Sequence, residues 1–142
     1  MEFKNISHGS DEYKEMVSLR DEVLRKPLGL HFDEEYLEKE KSTILIGCFK
    51  SNTMIACCLL RTISEDVIQL QQMAVKPELQ GKHVGTKLIR FAEEQAQKAG
   101  FLKLFLHARK TAVGFYQKLG YEILGDEFEE VNIPHFMMKK EL

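Results

Sequence analysis

The amino-acid sequence predicts an α+β fold, layered α/β/α, with a mixed, mostly antiparallel sheet that carries helices on both faces. Two observations predict it. Between Thr43 and Val75 three strand-like runs are separated only by short turns, the pattern of an antiparallel meander. After Val75 the order becomes loop, helix, strand, which implies a parallel strand pair joined by a right-handed crossover.

Each element follows from local chemistry. Residues 2–7 read as a short strand. Ser10, followed by Asp11 and Glu12, is a helix start: a hydroxyl that caps free amides, then acids against the positive helix end. Tyr13, Met16, Val17, Val23 and Leu24 carry that helix to Arg25, and Pro27 and Gly29 close it. Asp33 caps a second short helix through Tyr36 and Leu37. The meander strands are Thr43–Lys50, Met54–Ile63 and Val67–Val75, the last stopped by Pro77.

Residues 84–99 then carry a helical stripe. Val84, Leu88, Phe91, Ala92, Ala96 and Ala99 fall on one side, with Lys87, Arg90, Glu94, Gln97 and Lys98 on the other. Gly100 supplies the left-handed cap. Phe101–His107 alternates as a strand with Leu102, Leu104 and Leu106 on one face. Ala112, Phe115, Tyr116 and Leu119 make a last helix that ends at Gly120. Tyr121 to Lys140 forms two strands that turn near Asn132–Pro134.

Size and composition bound the rest. A chain of 142 residues suits one domain, taken as residues 1–142. With 44% hydrophobic and 30% charged residues it has the composition of an ordered globular protein. The 20 basic and 22 acidic side chains leave a formal net charge of -2 and no broad footprint for nucleic acid. Cys48, Cys57 and Cys58 lie inside apolar runs without metal-ligand spacing, so they read as reduced, buried thiols and no metal site is expected. No apolar run approaches the ~18 residues of a membrane span. No basic segment with an apolar stretch opens the chain, and a cytoplasmic location is the expectation.

The most informative stretch runs from Gln72 to Thr86, where a strand ends, a loop with Gly81 and Gly85 follows, and a helix begins at once. Free amides at a helix start, backed by the helix dipole, form an anion site. Both glycines let a ligand approach the backbone, and Lys82 would add charge at the rim. The spacing fits neither a Walker loop nor a dinucleotide fingerprint. A plain turn at Gly81 and plain packing at Gly85 fit it equally well.

Gln80-Gly-Lys-His-Val-Gly85 resembles the pyrophosphate signature of the GNAT N-acetyltransferases, Gln/Arg-x-x-Gly-x-Gly/Ala. Phe115-Tyr-Gln-Lys-Leu-Gly-Tyr121 looks like that family's closing Tyr-x-x-x-Gly-Phe/Tyr motif. His83 replaces the inner glycine, a departure that a negative φ would accommodate. Leu106-His-Ala-Arg109, Gly125-Asp126, Phe128 and Ile133-Pro-His135 look like the ElaA/YjcF-like branch, with Arg109 and Asn132 replacing its usual glutamine and glycine. The similarity spans roughly residues 43–142 and is strongest after Leu70.

The resemblance implies an N-acetyltransferase that moves an acetyl group from acetyl-coenzyme A to the primary amine of a small molecule. The alternative is a non-catalytic acyl-coenzyme A-binding module. Met73, Ala74 and Val75 would run beside the cofactor's pantetheine arm like an added strand, with the Val75 amide facing the thioester carbonyl. Gln80, Gly81, Lys82, His83, Val84, Gly85 and Thr86 would hold the pyrophosphate. Tyr116 would hydrogen-bond the departing sulfur. Many relatives carry a glutamate as base on the strand before the loop, whereas Gln69, Gln71 and Gln72 stand here. His107 and His135 are the remaining candidates, because imidazole titrates near neutrality. The first helices would cover the acceptor, where Arg20 and Arg25 would hold a carboxylate or phosphate. Relatives are often homodimers.

Overall fold

The computed structural model describes residues 1–142. The strands are β1 (Glu2–Ile6), β2 (Ile44–Lys50), β3 (Thr53–Thr62), β4 (Val67–Val75), β5 (Lys103–Arg109), β6 (Glu122–Glu130) and β7 (Ile133–Glu141). They form one 7-stranded sheet in the order β1-β2-β3-β4-β5-β7-β6. Only β4 and β5 run parallel; every other neighbouring pair is antiparallel. The helices are α1 (Asp11–Arg20), α2 (Glu34–Glu38), α3 (Val84–Lys98) and α4 (Val113–Lys118). The expected mixed, mostly antiparallel α+β architecture is therefore the observed one. No helix is long and apolar enough to cross a membrane.

Side-chain alternation divides the core into two layers. On one face Cys58, Leu60, Ile68, Leu70, Leu104 and Leu106 pack with Leu88, Ile89 and Ala92 of α3. On the other, Cys57 and Leu59 pack with Tyr13, Met16 and Leu19 of α1. Full burial of each such aliphatic side chain contributes ~1.5–3 kcal/mol. α1 starts at Ser10, whose hydroxyl accepts the Tyr13 amide at 3.1 Å, and α2 starts at Asp33, which accepts the Tyr36 amide at 2.7 Å.

Four features depart from the sequence reading. The predicted first helix changes character after Arg20: Asp21–Arg25 is a π-turn and Lys26–Leu28 a 3₁₀ turn, capped by Gly29 at φ 70°. A π-turn widens the backbone ring and re-aims the residues after it, which is why such turns gather at functional sites. β5 starts at Lys103, because the amides of Leu102 and Lys103 both bond to the Asp66 carbonyl. Leu102 consequently stays exposed instead of joining Leu104 and Leu106. On α3 the buried set includes Ile89 and Glu93, while Ala99, which caps the helix, is exposed.

Glu93 is buried because it has partners. Tyr121 Oη donates to it at 2.8 Å and Lys140 Nζ at 3.0 Å, tying α3 to β7. The β6–β7 turn is Val131-Asn132, one residue earlier than expected, with φ of 47° and 62° at its two residues. Those left-handed values suit the two-residue turn that matches strand twist.

Candidate active site

The site begins with a strand that separates from its neighbour. β4 pairs with β5 from Val67↔Lys103 to Leu70↔Leu106, and pairing then stops. On the β3 side, Leu59 pairs Gln71 and Cys57 pairs Ala74, so Gln72 and Met73 stand opposite Cys58 alone. That is a bulge, and Gln72 sits at φ 53° within it. Its side chain is anchored as well, with Nε2 donating to Tyr36 Oη at 3.0 Å.

Beyond the bulge, hydrogen-bonding directions alternate. Lys76 N–H bonds to Ile55 O on β3 at 2.9 Å and Ala74 pairs with Cys57. The intervening Val75 and Met73 therefore turn their amides and carbonyls away from β3, toward the gap where β5 has left. Gln80 Nε2 donates to the Val75 carbonyl at 3.1 Å and ties the following loop to this strand end. By the same alternation the Val75 amide faces this gap rather than β3.

The loop then presents a second row of free donors. Gln80 N–H bonds to Pro77 O and Lys82 N–H to Leu79 O, and the first α3 bond runs from Lys87 N–H to His83 O at 3.2 Å. The amides of His83, Val84, Gly85 and Thr86 have no acceptor in the chain. Gly81 lies at φ 80° and His83 at φ 66°, so the negative φ expected for His83 is not what the loop adopts. An L-residue pays about 1 kcal/mol for that conformation, and the turn into α3 imposes it. A Cβ on Gly85 would lie 3.0 Å from Met73 Cε, so the glycine brings the helix start against β4.

Two clefts meet here. One, of about 650 Å³, is lined by Met73, Val75, Gln80, Gly81, His83 and Gly85. The other, of about 690 Å³, lies over Gln69, Gln71, His107 and Glu130, under Arg25 and Tyr36. Met73, Arg109 and Tyr116 line both. The Tyr116 hydroxyl has one polar neighbour, Met73 Sδ at 3.8 Å, a weak acceptor that leaves it available for a better one. Burial pushes its phenol up to about 12, with the Cys58 thiol adding to the shift, so Tyr116 is a neutral donor across the physiological range.

In the second cleft Glu130 joins two histidines. His107 Nδ1 lies 3.2 Å from Glu130 Oε2, and His135 Nε2 lies 3.8 Å from the same oxygen. His135 is nearly buried, and its Nδ1 lies 2.7 Å from the Ile133 carbonyl, which requires a proton on that nitrogen. A proton shared between His107 Nδ1 and Glu130 leaves His107 Nε2 as the basic nitrogen.

Residues 22–142 match the acetyltransferase (GNAT) domain family. The chain belongs to the GNAT family. The uncharacterized N-acetyltransferase YjcF of Bacillus subtilis is 26% identical over 137 residues, which cover 96% of this chain and 97% of that one. The GNAT fold is shared with Escherichia coli ElaA at a TM-score of 0.84 and 21% identity, covering 99% of this chain and 100% of the other. A crystal structure of an aminoglycoside 6'-N-acetyltransferase complexed with coenzyme A has a TM-score of 0.83 and 16% identity, with 99% of this chain and 97% of that chain covered.

Within this GNAT framework the expected site residues separate into groups. Met73, Val75, Gln80, Gly81, His83, Gly85 and Thr86 line one cleft, and Tyr116 stands where the two clefts join. Ala74 does not belong with them: its side chain is buried in the α1 layer and its backbone pairs with β3. Val84 turns its side chain into the core and has only its amide free, and Lys82 is exposed and off the cleft. Arg25 lines the second cleft. Arg20 does not, because it is fully buried and its guanidinium is held by both Glu40 oxygens at 2.8 and 2.7 Å. Tyr13 Oη adds a third bond to that carboxylate at 2.7 Å. Arg20 thus anchors α1 to the segment before β2.

Nothing in the composition of Asp126–Glu130 singles out Glu130 among its acidic neighbours. The hairpin register does. With the turn at Val131-Asn132, Phe128 pairs with His135 and Glu130 shares their face, whereas a turn one residue later would reverse every side chain.

Proposed function

We propose that this protein is an N-acetyltransferase that takes the acetyl group from acetyl-coenzyme A and transfers it to the primary amine of a small molecule, with residues 1–142 acting as one acyltransferase domain. One observation carries the reading: the amides of Met73 and Val75 at an unzipped strand edge lie beside the unpaired amides of His83, Val84, Gly85 and Thr86. An edge strand suits an extended amide-containing arm, and a helix start with free N–H groups suits a diphosphate. Coenzyme A presents both. Structural relatives with coenzyme A bound support the same cosubstrate.

Acetyl-coenzyme A supplies the activated acyl group, and the chain's own residues supply the rest. The Val75 amide donates to the thioester carbonyl as negative charge develops there. His107, oriented through Nδ1 by Glu130, removes the amine's proton through Nε2. A primary amine with an ordinary pKa near 10.4 is unprotonated in only about one molecule in 2,500 at neutral pH, so this step matters. Tyr116 donates a hydrogen bond to the departing sulfur. With the phenol at about 12 and a thiol near ~8.5, complete transfer of its proton would be uphill by roughly 5 kcal/mol. A hydrogen bond that stabilises the thiolate is therefore the role assigned to it.

Calorimetry with coenzyme A and a thiol-release assay across an amine panel test the reading together. Binding with thiol release is the expected result. Binding without release from any amine would favour a non-catalytic acyl-coenzyme A module, and no binding would remove the cofactor site itself.

A further inference from the structure

We infer that the acceptor amine carries a carboxylate or phosphate group, held by Arg25 and Arg61 in the acceptor-side cleft; this rests on the acetyl-transfer reading of the same site. Three arginines, Arg25, Arg61 and Arg109, line that cleft against a single carboxylate, Glu130. Glu130 is already engaged by His107. None of the three arginines has a carboxylate within 4.0 Å, whereas Arg20 is paired with Glu40 at 2.7 Å and Arg90 with Glu93 at 3.2 Å.

Arg25 is also prepared for a partner. Its guanidinium lies over the Phe32 ring at 4.5 Å, and its buried Nε has no acceptor. A stacked guanidinium is held in one plane, the condition for a bidentate grip on a carboxylate or phosphate. Arg61 reaches the cleft from β3, opposite Gln69 of β4. Along the β4 wall the polar residues are Gln69, Gln71 and Gln72, and Gln71 Nε2 donates to Gln69 Oε1 at 2.8 Å. A neutral amide wall facing unpaired arginines leaves Glu130, held by His107, as the cleft's one counter-charge for a polycation. The same positive potential disfavours the ammonium form of an acceptor and so favours its nucleophilic neutral form. Arg109 borders both clefts and is left out of the assignment.

The test compares four amines by thiol release at low salt: β-alanine, β-alanine amide, O-phosphoethanolamine and putrescine. Coenzyme A binding is measured by calorimetry on the same protein. An anionic amine is expected to exceed the amide and the diamine in kcat/KM by about tenfold or more, the range of one charge-assisted pair. Whether β-alanine or O-phosphoethanolamine leads separates carboxylate from phosphate. In Arg25→Gln and Arg61→Gln, each checked for an unchanged melting profile, the preference for anionic over neutral amine is expected to narrow about tenfold. A preference for putrescine, or a ratio unmoved in both variants, overturns the inference. So does coenzyme A binding with neither turnover nor heat from the two anionic amines. Absence of coenzyme A binding sinks the acetyl-transfer reading, and the acceptor inference with it.

Discussion

The two ends of β4 are held by different physics. From Val67 to Leu70 the strand has neighbours on both sides, and Ile68, Leu70 and Leu104 are almost completely buried. From Gln72 to Val75 one side is open, the backbone is bulged, and the cover comes from the π-turn segment and Tyr36 rather than from a strand. The closed end is fixed by apolar packing, while the open end depends on polar anchors that fix the cover above it. A single left-handed residue, Gln72, marks the change. The lesson is that an open strand edge inside a sheet requires both a reason to unzip and a separate means of holding what lies over the gap.

The comparison can be broken most severely at the cover. Glu40→Ala leaves Arg20 buried and unpaired and is expected to destabilise the fold by ~3–5 kcal/mol in urea titration. At the closed end, Leu104→Ala should cost about 3 kcal/mol by the same measurement, with coenzyme A affinity of the folded fraction unchanged. A matching loss of affinity there would show that the two ends are not separable. At the junction, Tyr116→Phe should lower kcat roughly 30-fold, about 2 kcal/mol, while the melting temperature moves little. Unchanged kcat would remove Tyr116 from the chemistry.

Alkaline titration sharpens the contrast from beneath the bulge. Burial pushes Cys57 and Tyr116 each up to about 12 and Cys58 well above its ordinary value. The unfolded chain gives up these protons near the ordinary ~8.5 for thiols and ~10 for phenols. Above about pH 9 the unfolded state therefore binds fewer protons at the two thiols than the native one, and above about pH 10 at the Tyr116 phenol as well, so stability falls as pH rises, by up to about 1.4 kcal/mol per pH unit for each titrating group. Below about pH 8 these groups are protonated in both states and contribute no slope. Urea titrations at pH 7, 9 and 10.5 check the sign. The smallest effect belongs to the loop: His83→Gly relieves a left-handed conformation and should raise stability by no more than about 1 kcal/mol. Circular-dichroism melting would read it, and destabilisation would mean that the His83 side chain contributes contacts of its own.

Elements were legible where one local signal was enough. Ser10 and Asp33 announced their helices through the hydrogen bonds they now make, and the apolar stripe of α3 fixed which side meets the sheet. The glycine loop was legible as a run of free amides because unpaired N–H groups at a helix start are a local property of the backbone. Arg20 could not be read as an anchor, because Glu40 lies 20 residues away and only the packed chain brings them together. Glu130 stayed hidden because a one-residue shift in the turn decides its face.

By itself, the sequence determined the strand and helix periods, the cap residues, the loop that opens α3 and membership of a recognisable family, since all of these reside in nearest neighbours and motifs. Tertiary structure alone decided where β4 parts from β5, which arginines are neutralised and which stay free, and how His107, Glu130 and His135 converge. The reason is physical: periodicity and capping act within a few residues along the chain, whereas charge pairing and strand separation are set by groups that become neighbours only when the sheet has formed.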